Sequence, residues 1–382
     1  MQIEKQIYLD NNSTTRVDDR VIEAMMPFYS EFYANPSSSH KFGTDVNSFI
    51  SKSRKTIANF LNCEPYELIF TSGATESINL AIKGIAESLK SKGNHIITVS
   101  TEHSAVLNTC KHLQSLDYDI TYLTVKADGL LDIEQFIQSF KTTTILVSVM
   151  FVNNETGVIQ PIKELIEIAH KKNSIFLTDA TQAIGKLKVD VKDLNVDLLA
   201  FSGHKFHGPK GIGGLVVRKN NKVILAPLIH GGQQEMRLRS GTLNVPSIIG
   251  LSKAIEICAN EMSKSSLYIA KLRNRLEDEL LKIEGAHVNG NSVFRVNNVS
   301  NILFRGINSD AVISGLPLIA VSKGSACSSS SIQPSHVLKG IGLSDEEAYA
   351  SIRFSLSVYN TEEEIDIVVK NIKDLIKNLK RI

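Results

Sequence analysis

A lysine stands between two apolar runs in DLLAFSGHKFHGPKGIGG, residues 197–214. Residues 197–201 have the composition of a buried strand, and SGHK follows before glycines and a proline force a turn. An ordinary lysine, with a pKa of about 10.4, is a poor nucleophile at neutral pH. In a partly desolvated pocket at a strand end it becomes a Schiff-base former. A solvated lysine in a basic glycine-rich loop is the competing reading, because Lys210 lies in the same turn. A second group of residues bears on the choice. Asp179 ends an apolar run, and Gln182 follows at once. An acid buried there can pair with a protonated pyridine nitrogen, and a neighbouring amide can bond a ring hydroxyl. His103, just past another apolar run, can stack on a flat ring. SGAT, residues 72–75, opens a helix directly after a strand, where free N–H groups and the helix dipole attract phosphate.

These residues need a frame that brings them together. From residue 67 onward, short apolar runs alternate with helical patterns: strands at 67–71, 95–99, 120–125, 144–152, 175–178 and 197–201, each followed by a turn or helix. That rhythm predicts an α/β fold with a mostly parallel sheet covered on both faces. Ligands in such sheets sit beyond the carboxyl ends of the strands, where Thr71, Asn154, Asp179 and Ser202 all fall. Helices are expected at 244–262 and 264–283, then shorter strands at 299–305, 318–321 and 351–356 and a last helix at 361–379. This part reads as a smaller α+β domain. The expected division is a large domain over 15–262 and a small one over 1–14 and 263–382. The Ser/Gly-rich stretch 322–331 is too polar to pack a core and reads as a mobile loop.

The totals exclude several classes. The chain has 382 residues, a net charge of +2 and 42% hydrophobic residues, enough to bury a sizeable core. Near-neutral charge leaves no footprint for direct nucleic-acid binding. No apolar run approaches the ~20 residues of a membrane span, and the N-terminus has no signal-peptide pattern. Cys63, Cys110, Cys258 and Cys327 are scattered, without metal spacing, which points to a reducing cytoplasm and no structural metal. Neither a P-loop nor a GxGxxG fingerprint opens the first strand–helix turn, which disfavours nucleoside triphosphates and nicotinamide cofactors.

Across nearly its whole length the chain resembles the pyridoxal-phosphate-dependent cysteine desulfurases of the NifS/IscS type, in aminotransferase class V. The matching stretches are YLDNNSTT (8–15), NPSSSH (35–40), FTSGATE (70–76), VNNETG (152–157), DATQ (179–182), SGHKFHGPKG (202–211), RSGTL (239–243), GSAC (324–327), SHVL (335–338) and SIRFS (351–355). The resemblance implies fold type I of the pyridoxal-phosphate transferases, with a seven-stranded sheet, and pyridoxal 5'-phosphate as cofactor. It implies that Lys205 is the Schiff-base lysine. Ala74, Thr75, Ser202, Gly203 and His204 would hold the phosphate, with Thr242 reaching in from a neighbouring subunit of a homodimer. Asn154, Asp179 and Gln182 would hold the ring, and His103 would stack on it and assist proton transfers. Arg353, with Asn154, would bind the carboxylate of L-cysteine, in the bidentate geometry a guanidinium favours. Cys327 would take the sulfur as a persulfide and pass it to an acceptor protein.

The resemblance leaves the acceptor open between an iron–sulfur scaffold and a tRNA thiolase. The chain ends at Ile382, soon after the last helix, without the tail by which housekeeping members dock a scaffold. A selenocysteine lyase, or another class V enzyme, is the alternative activity. An interaction platform with little activity of its own is another. The chain departs from the family pattern at Ser13, where Ala is frequent, at His207, where an aromatic is usual, and at Ser357-Val358, where Gly-Arg is usual.

Overall fold

The computed structural model describes residues 6–219, 223–324 and 333–380. The first part runs β1 (Ile7–Tyr8), α1 (Asp19–Met25), α2 (Pro27–Ser30), α3 (Lys41–Leu61), β2 (Leu68–Thr71), α4 (Ala74–Ser88), β3 (His95–Val99) and α5 (Ser104–Gln114). It continues with β4 (Asp119–Leu123), α6 (Ile133–Gln138), β5 (Thr144–Ser148), α7 (Ile162–Lys171), β6 (Ile175–Asp179), α8 (Val191–Leu194), β7 (Leu198–Ser202) and β8 (Gly213–Val217). The remainder is α9 (Val245–Leu280), β9 (Ala286–Val288), β10 (Val299–Phe304), α10 (Ser309–Ser314), β11 (Ile319–Ala320), α11 (His336–Gly340), α12 (Asp345–Tyr349), β12 (Ser351–Ser355) and α13 (Glu362–Leu379).

The main sheet has seven strands in the order β2-β8-β7-β6-β5-β3-β4. β8 is antiparallel to both its neighbours and the other pairings are parallel. Its strands are apolar throughout because both faces are covered. Leu199 and Phe201 of β7 pack into a core with α3, α7 and α9. Leu198 and Ala200 pack into the opposite core with α4 and α5. This period of two decides where the last residue of each strand points. Ser202 continues the Leu198–Ala200 series, and Asp179 continues the Ile175–Leu177 series, so both belong to the face covered by α4.

The C-terminal part forms a second core. β10 lies between β9 and β12 in an antiparallel sheet, and α13 covers it. β1, from the other end of the chain, pairs in parallel with β11 there. Where two helices are expected, at 244–262 and 264–283, a single helix α9 runs from Val245 to Leu280. The polar stretch around Lys264–Ser266 looks like a break in periodicity. No glycine or proline stands between Gly250 and Gly285, however, so nothing stops the helix. Its first half packs on α1 and α3 and its second half on α13. The expected division at 262/263 thus lies within one continuous helix.

Candidate active site

The carboxyl ends of β2, β3, β5, β6 and β7 open on one cavity of about 420 Å³. It is lined by Ala74, Thr75, His103, Asn154, Asp179, Gln182, Ser202, His204, Lys205 and Arg353, together with Asn12, Ser13, Thr14 and Lys210. Most of the expected site residues therefore share one space. Gly203 does not line it. Its N–H bonds Ile212 O, and a Cβ there would press on Leu251 and Ile212. Thr242 is exposed and does not line this chain's own cavity. Cys327 lies outside the described residues.

One end of the cavity suits an anion. Gly73 begins α4 with φ +151, a conformation that favours glycine, and no side chain caps the helix. The first N–H groups, including those of Ala74 and Thr75, have no intrahelical acceptor and face the cavity with the dipole's positive end. Ser202 borders this end, its Oγ 3.3 Å from where a Cβ on Gly73 would sit. His204 Nδ1 lies 3.1 Å from Thr14 Oγ1. Burial first, then Lys205 and Lys210, push its pKa down to about 4, so the ring is a neutral hydrogen-bonding group.

The middle suits a flat cationic ring. Asp179 is 7% exposed, and its carboxylate accepts from Thr181 N at 2.9 Å. The Thr181 hydroxyl is buried with no hydrogen-bond partner among the described residues. His103 Nδ1 accepts from Ala105 N and so caps α5. Burial lowers its pKa against the pull of Asp179, leaving a neutral ring. Lys205 Nζ donates to Asn12 O at 2.7 Å and Ser13 O at 2.6 Å. These donors and the orphaned hydroxyl fit a pyridoxal phosphate: the start of α4 would hold its phosphate, Asp179 its ring nitrogen and Lys205 its aldehyde.

The third side suits a carboxylate. Arg353 is 1% exposed. Its Nη2 donates to Asp10 Oδ1 and Ser13 Oγ, both at 2.7 Å, and Nη1 donates to Asn154 O at 3.0 Å. Its Nε has no partner among the described residues. Ser13, the departure from the usual Ala, thus touches the guanidinium directly. The chain on either side of 325–332 is fastened near this end. Arg353 N donates to Ser322 O at 2.7 Å. Ser335 Oγ donates to the buried Glu155, and a His336 ring nitrogen meets Glu102 O at 2.9 Å.

Sequence reasoning did not pick out Asn12, Ser13 and Thr14 as lining residues, nor Glu155 as the fastening point. Their signal lies in YLDNNSTT and VNNETG, stretches in which only Asn154 is given a role from sequence. The other departures lie apart from the cavity. His207 bonds Arg16 O and meets the Tyr359 ring edge-on, while Ser357 and Val358 line a smaller cavity behind Lys205.

Residues 7–368 match the aminotransferase class-V family model. A cysteine desulfurase IscS from Mannheimia succiniciproducens is 47% identical over 377 residues, covering 98% of this chain and 93% of the relative. Among solved structures, a NifS-like protein superposes with a TM-score of 0.92 at 40% identity, covering 97% of this chain and 99% of that one. SspA in complex with cysteine superposes with a TM-score of 0.83 at 39% identity, covering 93% and 100%. The chain belongs to the class-V aminotransferase family, whose cofactor is pyridoxal phosphate. Within that family it is an enzyme of the cysteine desulfurase type.

Proposed function

We propose that the enzyme converts L-cysteine to L-alanine, with the sulfur received by Cys327 and handed to an acceptor protein. The observation that carries this reading is the convergence on one cavity of Asp179 from β6, Arg353 from β12 and Lys205 from the turn after β7. The relative solved with cysteine supports the substrate. Arg353 and Asn154 hold the substrate carboxylate, and burial of the guanidinium strengthens that pairing. Bound pyridoxal phosphate supplies an electron sink for the Cα–H bonding pair. Asp179, at one edge of the cavity, keeps a ring nitrogen protonated. Lys205 leaves its carbonyl acceptors on Asn12 and Ser13 and takes the Cα proton. His103, neutral and at hand, assists the later proton transfers.

The Cys327 thiolate then attacks the substrate sulfur. A sulfur–sulfur bond forms, the substrate carbon–sulfur bond breaks, and its electron pair ends in the new C–H bond of alanine. Cys327 lies three residues past Gly324, which approaches Glu155 beside the substrate end. An extended chain reaches about 10 Å over that span, which supports delivery of the thiol to the cavity. Ala74, Thr75, Ser202, Gly203 and His204 form the phosphate end, Gly203 by shaping the turn that carries its neighbours.

The working unit is a homodimer in which Thr242 of each chain completes the neighbour's phosphate end. The exposure of Thr242 and its absence from its own cavity support this. The large domain, 15–262, carries the cofactor residues. The small one, 1–14 with 263–382, carries Arg353 and the 322–331 loop. The acceptor is an iron–sulfur scaffold or a tRNA thiolase, and the setting is the cytoplasm. Among the described residues, no helix is long and apolar enough to cross a membrane.

Incubating the purified yellow enzyme with L-cysteine and a reductant tests the activity. Equal amounts of alanine and sulfide are expected from the wild type. Cys327→Ala should keep the visible cofactor band and release no sulfide. Sulfide from that variant at the wild-type rate would reject the role of Cys327.

A further inference from the structure

Gln182 is held from two sides. Its Nε2 donates to Asn12 O at 2.9 Å, and its Oε1 accepts from the Lys186 ammonium four residues further on. The assignment is fixed by chemistry. An ammonium can only donate, and a carbonyl oxygen can only accept, so the carboxamide must lie with oxygen on Lys186 and nitrogen on Asn12. Gln182 lines the active-site cavity and Lys186 does not. Lys186 borders the smaller cavity behind it, of about 80 Å³, beside Phe206, His207 and Cys258. Asn12 O also accepts from Lys205. Lys186, Gln182, Asn12 and Lys205 therefore form one hydrogen-bonded series running from the second cavity into the first.

We propose that Lys186 is a positioning residue, which by holding the Gln182 oxygen turns the Gln182 N–H2 toward the site and makes it a donor to the oxygen substituent of the cofactor ring. This rests on the reading that Lys205 is the residue linked to the cofactor. Without Lys186 only the bond to Asn12 O, an acceptor that Lys205 also uses, holds the carboxamide, so its oxygen is less firmly kept from the site, where it would repel an anionic ring oxygen. A fixed donor favours that anion, and the buried cation adds positive potential. Both effects favour loss of the proton from the linked Lys205 nitrogen.

The surroundings bear on the charge of Lys186. Burial first, then Lys205 and Arg353, push its pKa down to about 7, while Cys258 opposes the shift. His207 faces it from the 203–208 turn, and Asp18, Arg20 and Glu261 stand on the second cavity's outer wall. Around Lys205 the titratable neighbours are Asp179, His103, His204 and Lys210.

The test is a pH titration of the visible absorption of the holoenzyme, with melting temperature measured alongside. In Lys186→Met the midpoint is expected to rise by about one pH unit. In Lys186→Arg, which still donates and still carries charge, it stays near the wild-type value. A purely structural role would lower the melting temperature and leave the midpoint in place, and an unmoved midpoint in Lys186→Met overturns the proposal. Gln182→Glu gives a second reading if Lys186→Met does not retain cofactor. It has no N–H2 to offer, so its midpoint also rises, and an unmoved one overturns the proposal. A band that persists in Lys205→Ala would overturn the Lys205 reading and this one together. A wild-type band that titrates while Lys186→Met tracks it overturns the role of Lys186 alone.

Discussion

The two ends of the cavity are built in opposite ways. The cofactor end comes from one sheet: Asp179, Ser202, His204 and Lys205 stand at the ends of adjacent strands within 27 residues of one another. The substrate end is assembled from distant pieces. Arg353 of β12 meets Asp10 and Ser13, 343 and 340 residues away, and Asn154, 199 away. The difference is functional. A prosthetic group needs a cradle that never moves, and a sheet edge provides one. On the proposed mechanism the substrate end must also receive a thiol from elsewhere in the chain, and it sits where both flanks of the 325–332 stretch are fastened.

The comparison breaks most visibly at Lys205. Lys205→Ala is expected to abolish turnover and the pH-dependent visible band while leaving the fold intact, because the side chain is half-buried and its ammonium donates to carbonyls of the 12–13 turn, which water can serve instead. A spectrum unchanged from wild type would reject the assignment. The bracing of the cofactor end gives the next largest effect. Glu235 is buried and pairs with Arg54, and it also accepts from Phe70 N at 2.7 Å. Arg54 in turn lies over the Phe70 ring. This ties the 234–242 segment, with its consecutive left-handed residues Glu235, Met236 and Arg237, to the strand that leads into the phosphate loop. Arg54→Met leaves a buried carboxylate without its cation and is expected to cost ~3–5 kcal/mol in denaturant unfolding. A loss below about 1 kcal/mol would show that the brace is not needed.

The substrate end is expected to fail differently. Arg353→Met should raise KM for L-cysteine by roughly a hundredfold or more, the cost of losing a buried charged partner. The visible band of the resting enzyme should be unaffected. If the band is lost with the KM change, the two ends are not separable, and Arg353 serves the cofactor as well.

The same contrast explains what could be read before the structure was known. The cofactor end was legible because its residues sit at strand ends in a clear α/β rhythm, and Lys205, Asp179 and Gln182 each carry chemistry in their type. The substrate end was legible as Arg353 with Asn154, while Cys327 lies outside the described residues. The partners of Arg353 come from the first turn of the chain, and nothing in NNSTT marks it as a wall of the cavity. Glu235 was invisible for the same reason: its partners are 165 and 181 residues away. The unbroken helix α9 was misread because its middle is polar where it spans from one core to the other. Periodicity reports burial on one side, and there the side changes.

Glu102 offers the finest test of how dry the cofactor end is. It is fully buried, Oε1 accepts from Met150 N, and Oε2 has no partner among the described residues. Burial, aided by Asp179 and opposed by the Met150 bond, raises its pKa well above the usual carboxylate range. The carboxyl is thus neutral where an unfolded glutamate is ionised. The sign follows from linkage: this group's contribution to stability is complete below the unfolded pKa and is lost as pH rises through the folded one. Glu102→Gln keeps the acceptor for Met150 N and cannot ionise. Relative to it, the wild type should lose about 1.4 kcal/mol per pH unit between the two pKa values, starting from roughly pH 4.3. Unfolding curves measured across that window should cross or diverge, with the glutamine variant the more stable at the alkaline end. Parallel curves would mean that water reaches Glu102.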